Sequence, residues 1–262
     1  MPELPDLEVF KTNVFDRLTS KKLAGLEVFN QNKVPAPKEY LMDNLAGREL
    51  LRIDRVGKEL MFDFGDNRVI AVHLMLNGQI FILPEDAVGT VKFKIFSLQF
   101  ANETVVFSDR GSLCTVKYMP PANNKAPDAF DSAFTKEYFL NTARKKARVN
   151  IKALLIDQYV VKGIGNAYAD EILWDARISP HSVTGMIPED RLAALYQSIH
   201  SVLRAAVASI QKISPDRISG EERSFLKVHN KNLKETETGR PIIVETVASK
   251  ITYHTDEQIL YS

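Results

Sequence analysis

The feature that most constrains how this chain folds is a change of hydrophobic period at the proline-rich stretch PPANNKAPDAF, residues 120–130. Before it, apolar and polar residues alternate, as in VKFKIFSLQF over 91–100, which predicts β-strands. After it, Leu192, Leu195 and Ile199 recur every three or four positions, which predicts a helix. Clusters of proline and asparagine are typical of linkers. We therefore predict two differently built parts, as a length of 262 residues allows.

Local patterns fill in the two parts. An amphipathic helix is predicted near the N-terminus from the spacing of Leu7, Phe10, Val14 and Leu18. Strands are predicted over about 24–118, with a hairpin turn at Gly65-Asp66-Asn67. Beyond the linker, Thr135 is a predicted N-cap, NIKALLIDQ and NAYADEILWDA are predicted helices, and another helix is predicted to start near Pro188. The stretch RPIIVETVASKITY is a predicted hairpin whose tip lies near Val247 to Ser249.

These elements predict an α+β fold. An N-terminal helix and a β-sandwich are expected over 1–120, followed by a linker over 121–134. A helical domain is expected over 135–224, and a C-terminal hairpin over 225–262.

Composition excludes several classes of protein. There is no run of 18 apolar residues, so no transmembrane span and no membrane partner are expected, and the acidic N-terminus does not resemble a signal peptide. The single cysteine, Cys114, excludes an internal disulfide and is expected in a reducing cytoplasm.

The formal net charge is only +1, but the stretch RKKARVNIK over 144–152 concentrates positive charge. That run fits either a nucleic-acid contact or a solvated helix face.

The opening MPELPDLEVF places a proline directly after the initiator Met. Removal of Met1 would expose the secondary amine of Pro2, and an α-amino group has a pKa of only about 7.7–8.0. Such an amine attacks an aldehyde carbon to give an iminium ion. The neighbouring Glu3 could then shuttle protons. The alternative is structural: Pro2 and Pro5 would stiffen the lead-in to a helix, and Glu3 would favour the helix dipole.

Two further stretches contain residues suited to binding phosphate. Lys58, in RVGKELMF, is expected at a turn or strand start, where it is either a surface lysine or a phosphate partner. In GIGNAY, a glycine turn that includes Gly165 opens onto a helix N-terminus at Asn166. Helix N-termini present free N–H groups to anions, although Asn166 could equally be an ordinary cap.

Taken together, these stretches resemble the formamidopyrimidine-DNA glycosylase / endonuclease VIII family. MPELPDLEVF is similar to the family's N-terminus, and IKALLIDQYVVKGIGNAYADEILWDARISP over 151–180 is similar to its helix–two-turns–helix motif. The resemblance spans nearly the whole chain. It implies a monomeric enzyme of base-excision repair that acts on damaged DNA without a cofactor, as both a glycosylase and an abasic-site lyase. The damaged nucleotide would be flipped out of the stack, because its reacting carbon is inaccessible within a duplex.

The resemblance also implies roles for individual residues. Pro2 would be the nucleophile and Glu3 its acid/base partner, while Lys58 and Asn166 would bind phosphate. Lys152 would lie near the lesion. With Pro2, Glu3 and Lys58, Asp6 is among the expected catalytic residues. It stands where the family usually has glutamate, so its hydrogen bonds are expected to shift.

Other positions depart from the family's pattern. The four zinc-binding cysteines of its C-terminal finger align with Glu235, Thr238, Thr255 and Gln258, so we predict a zincless finger with no metal. Lys250 replaces an arginine that binds DNA and would lose its bidentate contact. The residues that fill the space left by the flipped base are predicted to be Leu76, Leu113 and, by a short shift in alignment, Arg110.

The connection KISPDRISGEERSFLKVHN over 212–230 is shorter than the lesion-covering loop of the formamidopyrimidine branch. This favours endonuclease VIII-like substrates, which include oxidised pyrimidines, ring-opened purines and abasic sites. Two alternatives stay open. One is a protein of the same fold that binds lesions but excises little, and the other is an unrelated binding protein without a DNA role.

Overall fold

A computed structural model of the chain describes residues 1–120 and 126–262. Its helices are α1 (Leu4–Leu18), α2 (Lys38–Leu45), α3 (Lys136–Lys145), α4 (Ile151–Ile156), α5 (Asn166–Asp175) and α6 (Glu189–Ile213). Short 3-10 turns cover Glu85–Thr90 and Thr184–Met186. Its strands are β1 (Leu23–Val28), β2 (Arg52–Val56), β3 (Glu59–Asp63), β4 (Val69–His73), β5 (Gln79–Leu83), β6 (Lys94–Phe100), β7 (Glu103–Ser108), β8 (Thr115–Tyr118), β9 (Ile243–Val247) and β10 (Lys250–His254). The α+β prediction is confirmed.

The chain forms two compact units. The described residues of the first are 1–120 and 210–221, and those of the second are 126–209 and 222–262. The sequence did not anticipate that residues 210–221 would group with the sandwich, and the predicted domain boundaries otherwise stay predictions. The start of the predicted linker, residues 121–125, lies outside the described residues.

The first unit is built from α1 and two antiparallel sheets. Within the described residues, one sheet has the order β1-β6-β7-β5 and the other the order β2-β3-β4-β8. Phe62 of β3 and Phe107 of β7 pack edge to face, with ring centroids 5.7 Å apart, in the core that the sheets share. The predicted hairpin turn is confirmed: Asp66 and Asn67 both adopt positive φ between β3 and β4.

Helix α1 is the element that positions the N-terminus. Pro5 lies in its first turn, where a missing N–H has no consequence for helix hydrogen bonding. The predicted apolar face is fully buried in the core of this unit, at Leu7, Phe10, Val14 and Leu18. Burial of four large apolar side chains therefore anchors the first residues of the chain.

Helix α2 was not predicted, because the surrounding sequence was interpreted as strands. It starts after the N-cap residue Pro37 and buries Leu41 and Leu45, which are one helical turn apart. Two buried residues over so short a segment are a weak periodic signal, and tertiary packing decides its structure.

The second unit contains α3, α4, α5 and most of α6, together with the β9–β10 hairpin. The predicted cap is confirmed, since Thr135 Oγ1 accepts the Tyr138 N–H at 3.0 Å. The hairpin tip is formed by Ala248 and Ser249, both at positive φ. None of the described helices is long and apolar enough to cross a membrane.

Candidate active site

The N-terminal residues are held in one arrangement by the start of α1. Glu3 is the N-cap residue, and its N–H donates to Oδ2 of Asp6 at 2.9 Å. Both carboxyl side chains are buried, Asp6 completely. This hydrogen bond is one of the two that define a capping box, and it holds the peptide group between Pro2 and Glu3 in place. The shorter side chain of Asp6 therefore still reaches the backbone at the start of α1.

Pro2 lines a cleft of about 1130 Å³ in the first unit. Two of the predicted void-filling residues, Leu76 and Arg110, line the same cleft. Gly220 and Glu221 close another part of its wall, and the Met1 ammonium of the translated chain contacts the Glu221 carboxylate. The structure thus brings a candidate nucleophile and two candidate fillers to one cavity, and adds Glu221, which the sequence gave no reason to select.

Lys58 lies in the turn between β2 and β3 and is half-buried. The turn is tied to α1 by Arg55, which donates to Glu8 Oε2 at 2.8 Å and to the Gly57 carbonyl at 3.0 Å. Burial opposes the charged form of Glu8, yet hydrogen bonds from Lys11 and Arg55 outweigh it and lower the pKa of this carboxyl. Arg55, which sequence reasoning missed, thereby sets the position of the Lys58 turn relative to the helix that follows Pro2.

The loop that bears Leu76 is held by His73. Nδ1 of His73 accepts the Met75 N–H at 3.0 Å, so this nitrogen must carry no proton. Met75 adopts φ +56°, an uncommon conformation for a non-glycine residue. Leu76 next to it is 56% exposed, as expected of a side chain available to contact a ligand.

We expect the stability of the first unit to fall as His73 protonates. Burial lowers the pKa of His73 from its ordinary value of 6.5. At pH values between the lowered pKa and 6.5, the unfolded chain therefore binds a proton that the folded chain does not. The contribution of neutral His73 to the free energy of unfolding is therefore fully present above pH 6.5, and it decreases as the pH falls below 6.5. Urea unfolding followed by circular dichroism at pH 7.5 and 5.5 should show a smaller decrease for His73→Gln than for the parent. An equal decrease in both proteins would contradict this account.

Asp109 organises the loop that bears Arg110 and Leu113. Its carboxylate is buried and accepts the N–H groups of Gly111 at 2.8 Å, of Leu113 at 2.7 Å and of Cys114 at 2.7 Å. Three donors on one carboxylate fix the backbone of this loop. Leu113 is 37% exposed and Arg110 is exposed, so both predicted fillers project from a rigid loop.

In the second unit, Lys152 is buried, which the sequence did not predict. Its ammonium is fully buried, 2.7 Å from Oδ1 of Asp170, and it donates to Thr252 Oγ1 at 2.5 Å. The other oxygen of Asp170 contacts His229 Nδ1 at 2.6 Å and accepts the Tyr253 N–H at 2.9 Å. A direct contact of Lys152 with DNA does not fit this burial, so the residue instead joins α4 and α5 to the hairpin.

Asn166, Gly165 and Lys250 lie near one another in this unit. Gly165 is the buried N-cap residue of α5, and Asn166 begins the helix. Nδ2 of Asn166 donates to the Ile251 carbonyl at 2.8 Å, next to the exposed Lys250. A helix N-terminus beside an exposed lysine is an arrangement suited to a phosphate.

The residues at the four finger positions do not fit a structural zinc ion. Thr238 donates to Glu257 at 2.8 Å, and Gln258 accepts the Thr255 N–H at 2.9 Å. Neutral hydroxyl and amide groups are poor zinc ligands, and Glu235 alone supplies a carboxylate. Thr238 and Thr255 instead both contact the Glu257 carboxylate.

Comparison with known proteins identifies the family. Residues 1–116 match the formamidopyrimidine-DNA glycosylase N-terminal domain, and residues 126–217 match the formamidopyrimidine-DNA glycosylase H2TH domain. The chain is similar to the formamidopyrimidine-DNA glycosylase of Carboxydothermus hydrogenoformans, with 31% identity over an alignment of 242 positions that covers 88% of this chain and 89% of the relative. It is also similar to that of Desulforamulus reducens, with 29% identity over an alignment of 272 positions that covers 97% of each protein.

Solved structures agree with these relatives. A crystal structure of the LlFpg protein with a THF-DNA and an inhibitor has a TM-score of 0.87 and 26% identity, covering 97% of this chain and 98% of that one. A complex of Lactococcus lactis Fpg with DNA containing an oxidised pyrimidine has a TM-score of 0.85 with the same identity and coverage. The chain therefore belongs to the formamidopyrimidine-DNA glycosylase family, a family of bifunctional enzymes of DNA repair.

Proposed function

We propose that this protein excises damaged bases from DNA and then cleaves the strand at the abasic site, with Pro2 as the nucleophile. The observation that carries the proposal is the place of Pro2, which follows the initiator Met, lines a large cleft and is anchored by the buried start of α1. Glu3, Lys58 and the exposed Lys250 supply the carboxylate and the cations that the chemistry needs.

The chemistry follows from the properties of the amine. After removal of Met1, the neutral nitrogen of Pro2 attacks C1′ of the flipped nucleotide, and the bond from C1′ to the base breaks. Glu3 is suited to the proton transfers that open the sugar ring and give an iminium ion. The iminium acts as an electron sink, so loss of a proton from C2′ expels the 3′ phosphate. A second elimination at the 5′ side would release the sugar, and hydrolysis of the iminium frees the enzyme.

We propose oxidised pyrimidines, ring-opened purines and abasic sites as the substrates. The connection after α6 is a compact turn: Arg217 donates to the Glu221 carbonyl at 3.2 Å and to Ser214 Oγ at 3.1 Å, and Ser219 Oγ accepts the Ile80 N–H at 2.9 Å. A turn closed on itself leaves little chain to enclose a large oxidised purine. Among the relatives, Lactococcus lactis Fpg has been crystallised with DNA containing an oxidised pyrimidine and with DNA containing an abasic site.

The test is a panel of duplexes that carry an oxidised pyrimidine, a ring-opened purine, an oxidised purine or an abasic site. We expect release of the first two bases and cleavage at the abasic site, with the intact oxidised purine the poorest substrate. The competing function is lesion binding with little excision, which the substitutions at Asp6 and Lys250 favour. Tight binding to abasic DNA without release of any base would support that second function and contradict the first.

Loss of the Lys250 charge should weaken DNA binding without changing the fold. Lys250 is exposed beside Asn166, so Lys250→Gln removes a phosphate partner from the surface. We expect weaker binding of every duplex and a salt dependence whose slope falls by about 1. Fluorescence anisotropy over a series of salt concentrations measures both quantities. Lys231→Gln, at another exposed lysine of this unit, is the matched control, and an equal effect there would contradict a specific role for Lys250.

A further inference from the structure

A cluster of two histidines and a glutamate, none of which was assigned a role above, lies on the second unit. It consists of His181, Glu245 and His254, whose nitrogen and carboxylate ligand atoms all lie within 4.8 Å of one another. Oε1 of Glu245 is 2.8 Å from Nε2 of His181 and 2.6 Å from Nε2 of His254. Each imidazole therefore points its Nε2 atom at the same oxygen of Glu245.

The fold brings these three residues together from separate segments. Glu245 on β9 pairs with Thr252 on β10, and His254 lies two residues further along, so their side chains share one face of the hairpin. His181 comes from the loop that follows α5. That loop is joined to the C-terminal residues, since the Val183 N–H donates to the Tyr261 carbonyl at 2.8 Å. The cluster therefore joins the hairpin to the helical part of the same unit.

The donor set suits a divalent transition-metal ion. Zinc takes imidazole nitrogen and carboxylate oxygen at about 2.0–2.2 Å, which places tetrahedral ligand atoms about 3.3 Å apart. The present separations require only small side-chain rotations to reach that spacing. The side chains of His181 and Glu245 are 43% and 42% exposed, which leaves an entry path and room for water as a fourth ligand. The hard cations magnesium and calcium prefer oxygen ligands, so the two imidazoles disfavour them.

We propose that His181, Glu245 and His254 form a binding site for zinc or a similar first-row divalent cation. The site lies next to the altered finger, because His254 precedes Thr255, yet it uses none of the four finger positions. A bound ion would hold the hairpin that carries Lys250 to the loop that follows α5. Its ligands would differ from the cysteines that the family uses. Cys114 does not compete with this site for the metal ion, because burial raises the pKa of its thiol to about 12 and a thiol binds metal as the thiolate.

Zinc titration of the untagged full-length protein tests this site. After treatment with a chelator and dialysis, isothermal titration calorimetry should show one ion per chain with a dissociation constant below about 10 µM, a free energy near −7 kcal/mol. His181→Asn and His254→Gln should each weaken binding at least tenfold. Saturating zinc should raise the melting temperature of the parent but of neither variant, since a ligand that binds only the folded state stabilises it.

Controls separate this site from adventitious binding. His200→Gln, at a histidine of α6 outside the cluster, should bind zinc like the parent. Glu245→Gln, at an exposed strand position, provides a third cluster variant should a histidine variant fold poorly, as judged by circular dichroism without metal. A dissociation constant above about 10 µM for the parent, or equal affinity in the parent and the folded cluster variants, would overturn the proposal. Neither readout involves DNA, so the result is independent of the proposed repair activity.

Discussion

Replacing Pro2 by leucine should abolish the covalent reaction with abasic DNA, whereas Pro2→Gly should retain part of it. Initiator Met is removed before small residues and kept before large ones, so the leucine variant keeps Met1. Its terminal amine is then displaced by one residue, about 3.8 Å along the chain. A displacement of this size costs at least about a hundredfold in rate. The glycine variant keeps an amine at the correct position, although a primary and more flexible one.

The measurement is the rate of strand cleavage at an abasic site, with the intact mass recorded for each variant to establish whether Met1 is present. Binding to the same duplex in the absence of turnover is the control, and it should change little in either variant. Cleavage by the leucine variant at the parental rate, with Met1 retained, would show that the terminal amine is not the nucleophile.

Replacing Asp170 by alanine should destabilise the second unit by about 3–5 kcal/mol. The substitution leaves the fully buried ammonium of Lys152 without its counter-ion, and it removes the acceptor of the Tyr253 N–H. Urea unfolding monitored by fluorescence reports on this unit specifically, because the only tryptophan of the chain, Trp174, lies in α5.

The matched control is the double variant Lys152→Met with Asp170→Leu, which replaces the buried pair by apolar groups of similar volume. Such replacements of a buried ion pair are often close to neutral, so the double variant should recover the part of the lost stability that comes from the unpaired ammonium. The part that comes from the unpaired Tyr253 N–H should remain, because leucine cannot accept it. A small effect of Asp170→Ala alone would mean that Lys152 is solvated in solution, and it would restore the sequence-based assignment of this lysine to DNA.

Lys152 shows where sequence reasoning ends. In the linear sequence it closes the basic run RKKARVNIK, which suggests a surface residue. In α4, however, it is buried like its neighbours Ile151 and Leu154, and its counter-ion Asp170 comes from another helix. A pairing between distant residues leaves no local signal, so neither the burial nor the partner could be predicted.

Other features were predictable because their signals are local. Apolar spacing sets α1, and turn residues set the β3–β4 hairpin. Proximity in sequence also places Glu3 and Asp6 near Pro2. The residues that the sequence did not indicate make contacts with residues distant in the chain. Arg55 joins a turn to α1, and Glu221, which follows α6 in the chain, contacts the N-terminus.

Borohydride trapping on abasic DNA, followed by mass mapping of the adduct, tests the central claim most directly. The mature protein, shown by intact mass to lack Met1, should form one covalent adduct, and the modified peptide should be the N-terminal one with the DNA attached at Pro2. An adduct on a lysine side chain such as Lys58, or no adduct from a protein that binds abasic DNA, would contradict the assignment of Pro2 as the nucleophile.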